Sequence, residues 1–315
     1  NALTVSDRGK QDCPTCPINV GAALDFEATN AAALAFLKAP PHTARQLRYY
    51  SDYCDPVTYD CDASAMNADI TDGINGTLDA SADGAAMMQY AGHSNFNVWS
   101  DDAFFAEGWS GRYDVEDLEN GLRLPWLLAH NCLTGGFHTT MANSLGEDFL
   151  KRAGGGAVAV FSPSGLSSSF LGRAVSDLVW NDVFGPRKER EIAVPVLGSL
   201  SMLCLQGSIE ACQNYVLMGD PSTRLAVPAV GPPTAPAASG ANESAELTWT
   251  ASETPGATYD VYRTSNLVTV AYTKANESPI PAATPGSTVL WTDTGLINTV
   301  TYSYYVVAVD GEGYE

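Results

Sequence analysis

Two residues offer chemistry in this sequence, Cys132 and His93. Cys132 lies in Leu124–Phe137, LPWLLAHNCLTGGF, where an apolar run stops at Asn131-Cys132 and leads into Gly135-Gly136. A nearly continuous apolar run suits a strand covered on both faces of a parallel sheet. Ligands gather beyond the carboxyl ends of such strands. A thiol there, beside glycines that let backbone approach a ligand, is a candidate nucleophile. A small buried residue at a strand end is the competing reading. A second apolar strand, in MMQYAGHSNFNVW (87–99), runs through Gly92 to His93. Proteolysis by a thiol needs a thiolate, a proton donor for the leaving amine, and donors for the developing oxyanion. Cys132 and His93 supply the first two. His130 is two residues before Cys132, about 6–7 Å away along an extended chain, and reads as structural. His138 and His42 have no partner and read as surface residues.

Strands and helices alternate around these residues. Ala2–Val5 is a short buried-type strand ending in Ser6-Asp7, residues 24–38 carry helical spacing, and Gln46–Tyr50 reads as the next strand. Asp52–Asp69 reads as an acidic surface hairpin or loop, 68–80 as a helix weakened by Gly73 and Gly76, and Asp101–Phe105 as a short helix. Ser144-Leu-Gly-Glu147 is a capping box opening a helix. Ala157–Phe161 is a strand, 167–184 a helix stopped by Gly185-Pro186, and Tyr215–Met218 the last strand of this region. The alternation predicts a three-layer α/β/α domain with a mostly parallel sheet. Pro228–Pro236 has linker composition. Beyond it, AELTWTA, TYDVYRT, STVLWTD and VTYSYYVVAVD alternate as strands with no helix between, which predicts a small all-β sandwich over 237–315.

Tyr90-Ala-Gly-His-Ser94 with Trp99 resembles the Tyr-x-Gly-His-Gly…Trp element of the gingipain-type cysteine peptidases, within the caspase-like group. LPWLLAHNCLTGGF resembles their nucleophile strand, and SLGEDFL, GGGAVAVFSPS and VLMGDPSTRL follow in matching order over residues 1–227. The resemblance implies a caspase-like fold and a cysteine endopeptidase acting through a thioester. It implies an oxyanion site at the backbone N–H groups of Cys132 and Ser94, where the family usually has Gly in place of Ser94. Asp7 falls where relatives carry an acid that orients the histidine; capping a loop turn is its alternative role. Asp25 falls where arginine-specific relatives carry the carboxylate that selects Arg or Lys at P1, and it reads equally well as a helix N-cap. Asp25, Trp99 and Phe170 are the expected substrate-binding residues. No cofactor is needed for the chemistry, and a structural calcium is compatible with the resemblance, although Asp52–Asp72 lacks the spaced calcium-loop pattern. The strands after the linker resemble a fibronectin type III module without its last strand, suited to attachment at a cell surface or matrix.

Composition bounds the rest. A net charge of −20, from 36 acidic and 16 basic residues in 315, argues against nucleic acid as a partner. Protein or peptide substrates fit it. Charged residues are only 17%, so the chain is neither disordered nor a coiled coil. No segment has the apolar length of a membrane span. Asn1 does not resemble a native start, so the chain reads as a processed form or fragment. Seven cysteines leave an odd one: Cys13/Cys16, Cys54/Cys61 and Cys204/Cys212 are close pairs, and Cys132 stands apart. In an oxidising compartment that predicts up to three short-loop disulfides and one reactive thiol, hence a secreted or cell-surface protein. A non-catalytic adhesion protein on a peptidase-like fold and a thiol transpeptidase are the competing functions, because water and amine compete for the same acyl-enzyme.

Overall fold

The computed structural model describes residues 2–7, 20–37, 44–55, 57–58, 60–77, 84–140, 142–185, 187–225, 230–265 and 272–311. The chain divides into two compact units, with the break between Val227 and Pro228.

The first unit is built on a sheet with the order β10-β9-β8-β3-β1-β2. Its strands are β1 (Ala2–Ser6), β2 (Ala44–Arg48), β3 (Met87–Ala91), β8 (Trp126–His130), β9 (Ala159–Pro163) and β10 (Tyr215–Gly219). All neighbours are parallel except β10, which runs antiparallel along β9. Every residue of β1, β3, β8 and β9 is buried, as expected for strands covered on both faces. Successive side chains feed two separate cores. Leu3, Val5, Met88, Tyr90 and Leu127 pack on one side with α2 (Tyr49–Tyr53), α3 (Ala63–Asn75) and α4 (Leu145–Lys151). Met87, Trp126, Leu128 and Phe161 pack on the other with α1 (Val20–Leu34), α5 (Ser169–Phe184) and α6 (Ala193–Leu205). A short helix, α7 (Ile209–Asn214), leads into β10.

Several expected elements move. The helix expected from residue 68 begins at Ala63 because Asp62 caps it, accepting from the Ala65 N–H at 2.9 Å, and it ends at the left-handed Gly76. Only the two ends of Asp52–Asp69 are helical, in α2 and α3; between them an antiparallel bridge and a disulfide join Cys54 to Cys61 and close a short loop as expected, and Tyr49 and Tyr50 open α2 instead of closing a strand. The helix expected at Asp101–Phe105 is absent. Ser100 and Ala103 take left-handed backbone angles that break a helix. An antiparallel ribbon of β4 (Ser94–Asn95), β5 (Val98–Trp99), β6 (Phe105–Trp109) and β7 (Arg112–Tyr113) forms there instead. The capping box forms as read, with the Ser144 and Glu147 side chains each accepting from the other's backbone N–H.

The second unit is all β. One sheet joins β11 (Thr234–Ala241), β12 (Ser244–Thr250) and β15 (Thr288–Thr294); the other joins β14 (Thr273–Lys274), β13 (Thr258–Thr264) and β16 (Ser303–Val309). Leu247 and Trp249 from one sheet share a core with Tyr259, Val261 and Ala308 from the other. Strand β11 starts inside the stretch read as linker, pairing Thr234 with Thr250.

Candidate active site

The chain leaves β1 for β2 on one side, then returns to place β3, β8 and β9 on the other. In an open α/β sheet a ligand crevice forms at such a reversal, beyond the carboxyl ends of the strands. Ser6 pairs with Ala91, and Ala91 pairs with His130, forming one row across β1, β3 and β8. Asp7 lies one residue past this row; His93 and Cys132 each lie two residues past it. Adjacent strands are about 4.8 Å apart, so the loops carrying the imidazole and the thiol leave the sheet side by side.

The His93 loop is fixed through its backbone. The buried Asp7 carboxylate accepts from the His93 N–H at 3.1 Å and from the Ser100 hydroxyl at 2.6 Å. The His93 carbonyl accepts from the Tyr90 hydroxyl at 2.6 Å and the Ser100 N–H at 2.9 Å. A Cβ on Gly92 would run into Asp7 Cβ and the Tyr90 hydroxyl, so only glycine fits there. From α1, the Phe26 ring meets the His93 ring edge-on, with centroids 5.4 Å apart.

The Cys132 loop is tied across to the same ribbon. The Ser94 hydroxyl accepts from the Cys132 N–H at 3.0 Å and donates to the Cys132 carbonyl. Cys132 is half-buried and is the free cysteine among the described residues. Its sulfur lies 3.5 Å from the Ser167 N–H, which donates to it, and its thiol points to the Ser167 carbonyl at 3.6 Å. Leu133 takes a left-handed φ of 61°, turning the chain sharply after the cysteine.

His130 is built into the core beneath. Asn30 Nδ2 donates to the Val5 carbonyl, so Asn30 Oδ1 is the acceptor for Gln89 Nε2 and Gln89 Oε1 must accept. Oε1 then takes hydrogen bonds from Ser176, Trp180 and His130 Nε2 at 2.9, 2.7 and 3.2 Å. The proton of the neutral ring is therefore on Nε2, and Nδ1 accepts from the Tyr215 hydroxyl at 3.4 Å. Burial pushes the His130 pKa down to about 3.

A thiol and an imidazole thus follow two neighbouring strands of a mostly parallel sheet at their carboxyl ends, and the model of peptidase family C25 matches residues 1–226. The chain belongs to peptidase family C25. As a C25 protein it is a cysteine-type endopeptidase, a hydrolase. No curated protein sequence matches the chain. Its fold is similar to that of the Arg specific cysteine proteinase gingipain R, with a TM-score of 0.51 and 14% identity over 98% of this chain and 67% of that one. It is also similar to the Porphyromonas gingivalis complex of RgpB pro- and mature domains, at 0.52 and 14% over 96% and 67%. A further protease structure matches at 0.52 and 13% over 98% and 67%. At these identities the likeness shows the fold alone.

The remaining expected site residues of the C25 chain divide. Trp99 is completely buried, stacked on Tyr90 at 4.3 Å with its Nε1 donating to Thr134 Oγ1. It supports the site from below and has no face open to substrate. Phe170, 82% exposed at the start of α5, lies near Ser167 in sequence, as does Leu166 at 75% exposed. Asp25 is exposed and sits within α1, which begins at Val20, so the N-cap alternative is overturned. Disulfides join Cys54 to Cys61 and Cys204 to Cys212, while Cys13, Cys16 and His42 fall outside the described residues. His138 is exposed. Sequence reading missed Ser167 and Ser100 as parts of the site. The serine run Ser167-Ser168-Ser169 after β9 was the available signal for the first; nothing marked the second.

In the acidic stretch, Asp52 pairs with Arg48, Asp55 holds the N–H groups of Val57 and Thr58, and Asp69 accepts from Tyr53. Among the described residues no group of three or more His, Cys, Asp and Glu is arranged to hold a metal.

Proposed function

We propose that Cys132 is the nucleophile and His93 the proton carrier of a secreted endopeptidase that works through a thioester. The observation carrying this reading is the strand register: both residues follow the paired Ala91 and His130 by two positions. The Cys132 thiolate attacks the scissile carbonyl carbon, and the carbonyl electron pair moves onto oxygen. Backbone N–H groups of Cys132 and Ser94 receive that oxyanion. Collapse breaks the C–N bond as the amine takes a proton from the His93 imidazolium, leaving the thioester. Water then adds to the thioester, giving its proton to His93, and the thiolate leaves. Asp7 contributes by fixing the peptide that carries the imidazole. This chemistry uses no metal; a structural calcium stays an expectation of the resemblance.

Basic P1 selection is the finer part of the reading. Asp25 neighbours Phe26, whose ring packs on His93, and one relative is described as Arg specific. An exposed carboxylate paired with Arg contributes about 0.2–1 kcal/mol, whereas a desolvated pair is worth roughly 2–5 kcal/mol. Asp25 is exposed, so a preference resting on it is about fivefold at most. Secretion is supported by the two disulfides, since such bonds persist outside reducing compartments. No described helix is long and apolar enough to cross a membrane. The all-β unit, with its fibronectin type III resemblance, suits attachment at a surface or matrix.

The test is labelling with irreversible thiol-directed peptidyl ketones bearing Arg, Lys, Ala or Leu at P1, followed by mass mapping. The label is expected on Cys132, with basic P1 favoured and the preference reduced in Asp25→Asn. Labelling elsewhere, or hydrolysis persisting in Cys132→Ala, refutes the nucleophile. An unchanged P1 profile in Asp25→Asn removes Asp25 alone.

A further inference from the structure

We infer that in the free enzyme the Ser94 hydroxyl occupies the position of the substrate's carbonyl oxygen, so that Ser94 is a positioning residue controlling access to an oxyanion donor. This rests on Cys132 being the nucleophile. Ser94 Oγ lies 3.0 Å from the Cys132 backbone nitrogen and accepts its hydrogen. That is the separation at which a donor serves an oxyanion, about 2.7–3.1 Å. The same hydroxyl donates to the Cys132 carbonyl, so the peptide of the nucleophile is closed on itself through one side chain.

The backbone beneath Ser94 is held in place. Ser94 pairs with Trp99 across the β4–β5 ribbon, and the Trp99 ring is locked between Tyr90 and Thr134. Opening the donor therefore requires rotation of the Ser94 side chain, which rigid-backbone side chains complete far faster than turnover. An arriving carbonyl oxygen exchanges with Oγ for the Cys132 N–H. Rotation gives up both of the hydroxyl's bonds to the Cys132 peptide, and the arriving oxygen replaces the one to the N–H. A bond of this kind sets a handicap of about two- to tenfold in rate.

The experiment compares wild type, Ser94→Ala and Ser94→Thr on a peptidyl aldehyde, a peptide substrate and iodoacetamide. The aldehyde forms a C–S bond to Cys132, and its carbonyl oxygen, which takes up the thiol proton, sits at the oxyanion donor. Iodoacetamide is attacked at its methylene carbon with loss of iodide, creates no oxyanion, and reports the reactivity of the thiol itself. Ser94→Ala should bind the aldehyde about two- to tenfold more tightly and gain similarly in kcat/KM, beyond any change in alkylation rate. Ser94→Thr, which keeps a hydroxyl, should stay near wild type. Aldehyde affinity that is unchanged or weaker in Ser94→Ala overturns the inference. So does an alkylation rate that moves as much as the aldehyde affinity, because the hydroxyl would then act on the sulfur. Mapping the alkylated residue separates this failure from failure of the nucleophile: wild type labelled elsewhere than Cys132 refutes both.

Discussion

A thiolate and an imidazole that share one proton transfer lose their contribution together. Cys132→Ala and His93→Ala should each bring peptide hydrolysis to a similar floor, and the double variant should fall little further, because residues acting as a unit are strongly non-additive. A His93→Ala enzyme that kept most of its activity would assign the proton to another group. The strand-end placement of both residues was legible in the sequence, since each follows an apolar strand that ends in polar residues or glycine. Asp7 was legible as an acid at a strand end, but two of its hydrogen bonds go to the His93 N–H and the Ser100 hydroxyl. Ser100 comes into reach only because a left-handed turn brings it back onto β1, a tertiary event without a local signature. The same holds for Ser94, whose backbone role was expected and whose side chain closes on Cys132.

Elements read correctly where local chemistry was self-sufficient. The Ser144–Glu147 box needs only its own first turn, and it forms. The ribbon after His93 failed to read because adjacent Phe104 and Phe105 fit a helix face as well as a strand; burial against Tyr49, Tyr90 and Trp99 decides the matter. Helices α6 and α7 went unread, the former because AVPVLGSLSMLCL is apolar nearly all round and shows no 3.6 period. Gly92 joins β3 to the His93 loop at a point with no room for a Cβ. Gly92→Ala inserts a methyl group against Asp7 and Tyr90, both wholly buried, so the His93 loop must shift. We expect a loss of about 1–3 kcal/mol in denaturant unfolding, with a larger fall in kcat/KM than stability alone explains. A variant that matched wild type in both measurements would show that the loop tolerates displacement.

At the scale of the molecule, the parallel sheet and the all-β unit followed from the two kinds of periodicity, while the break at Val227 and the start of β11 at Thr234 show that linker composition overran into a strand. The buried histidine has a consequence for the whole first unit. His130 is held neutral, its pKa pushed by burial from 6.5 to about 3. Between those values the unfolded chain binds more protons than the folded one. Stability is therefore complete above about pH 6.5 and declines as pH falls through the window, by at most about 1.4 kcal/mol per pH unit. Glu107 acts oppositely: desolvation, with neighbouring carboxylates, raises its pKa from 4.5 to about 6, so the folded chain is favoured as pH falls through that range. Asp114 and Asp148, also raised by burial, act in the same sense as Glu107. Glu107 is half-buried and its pKa moves over the narrower window, whereas His130 is 4% exposed and has the wider one. Acid destabilisation should win. Replacing His130 by Gln keeps a donor for Gln89 and an acceptor for Tyr215 but removes the titration. His130→Gln should start less stable at neutral pH and lose less stability than wild type on moving from about pH 7 to about pH 5. Denaturant midpoints across that range measure it, and parallel curves for the two proteins would show that His130 does not govern the acid limb.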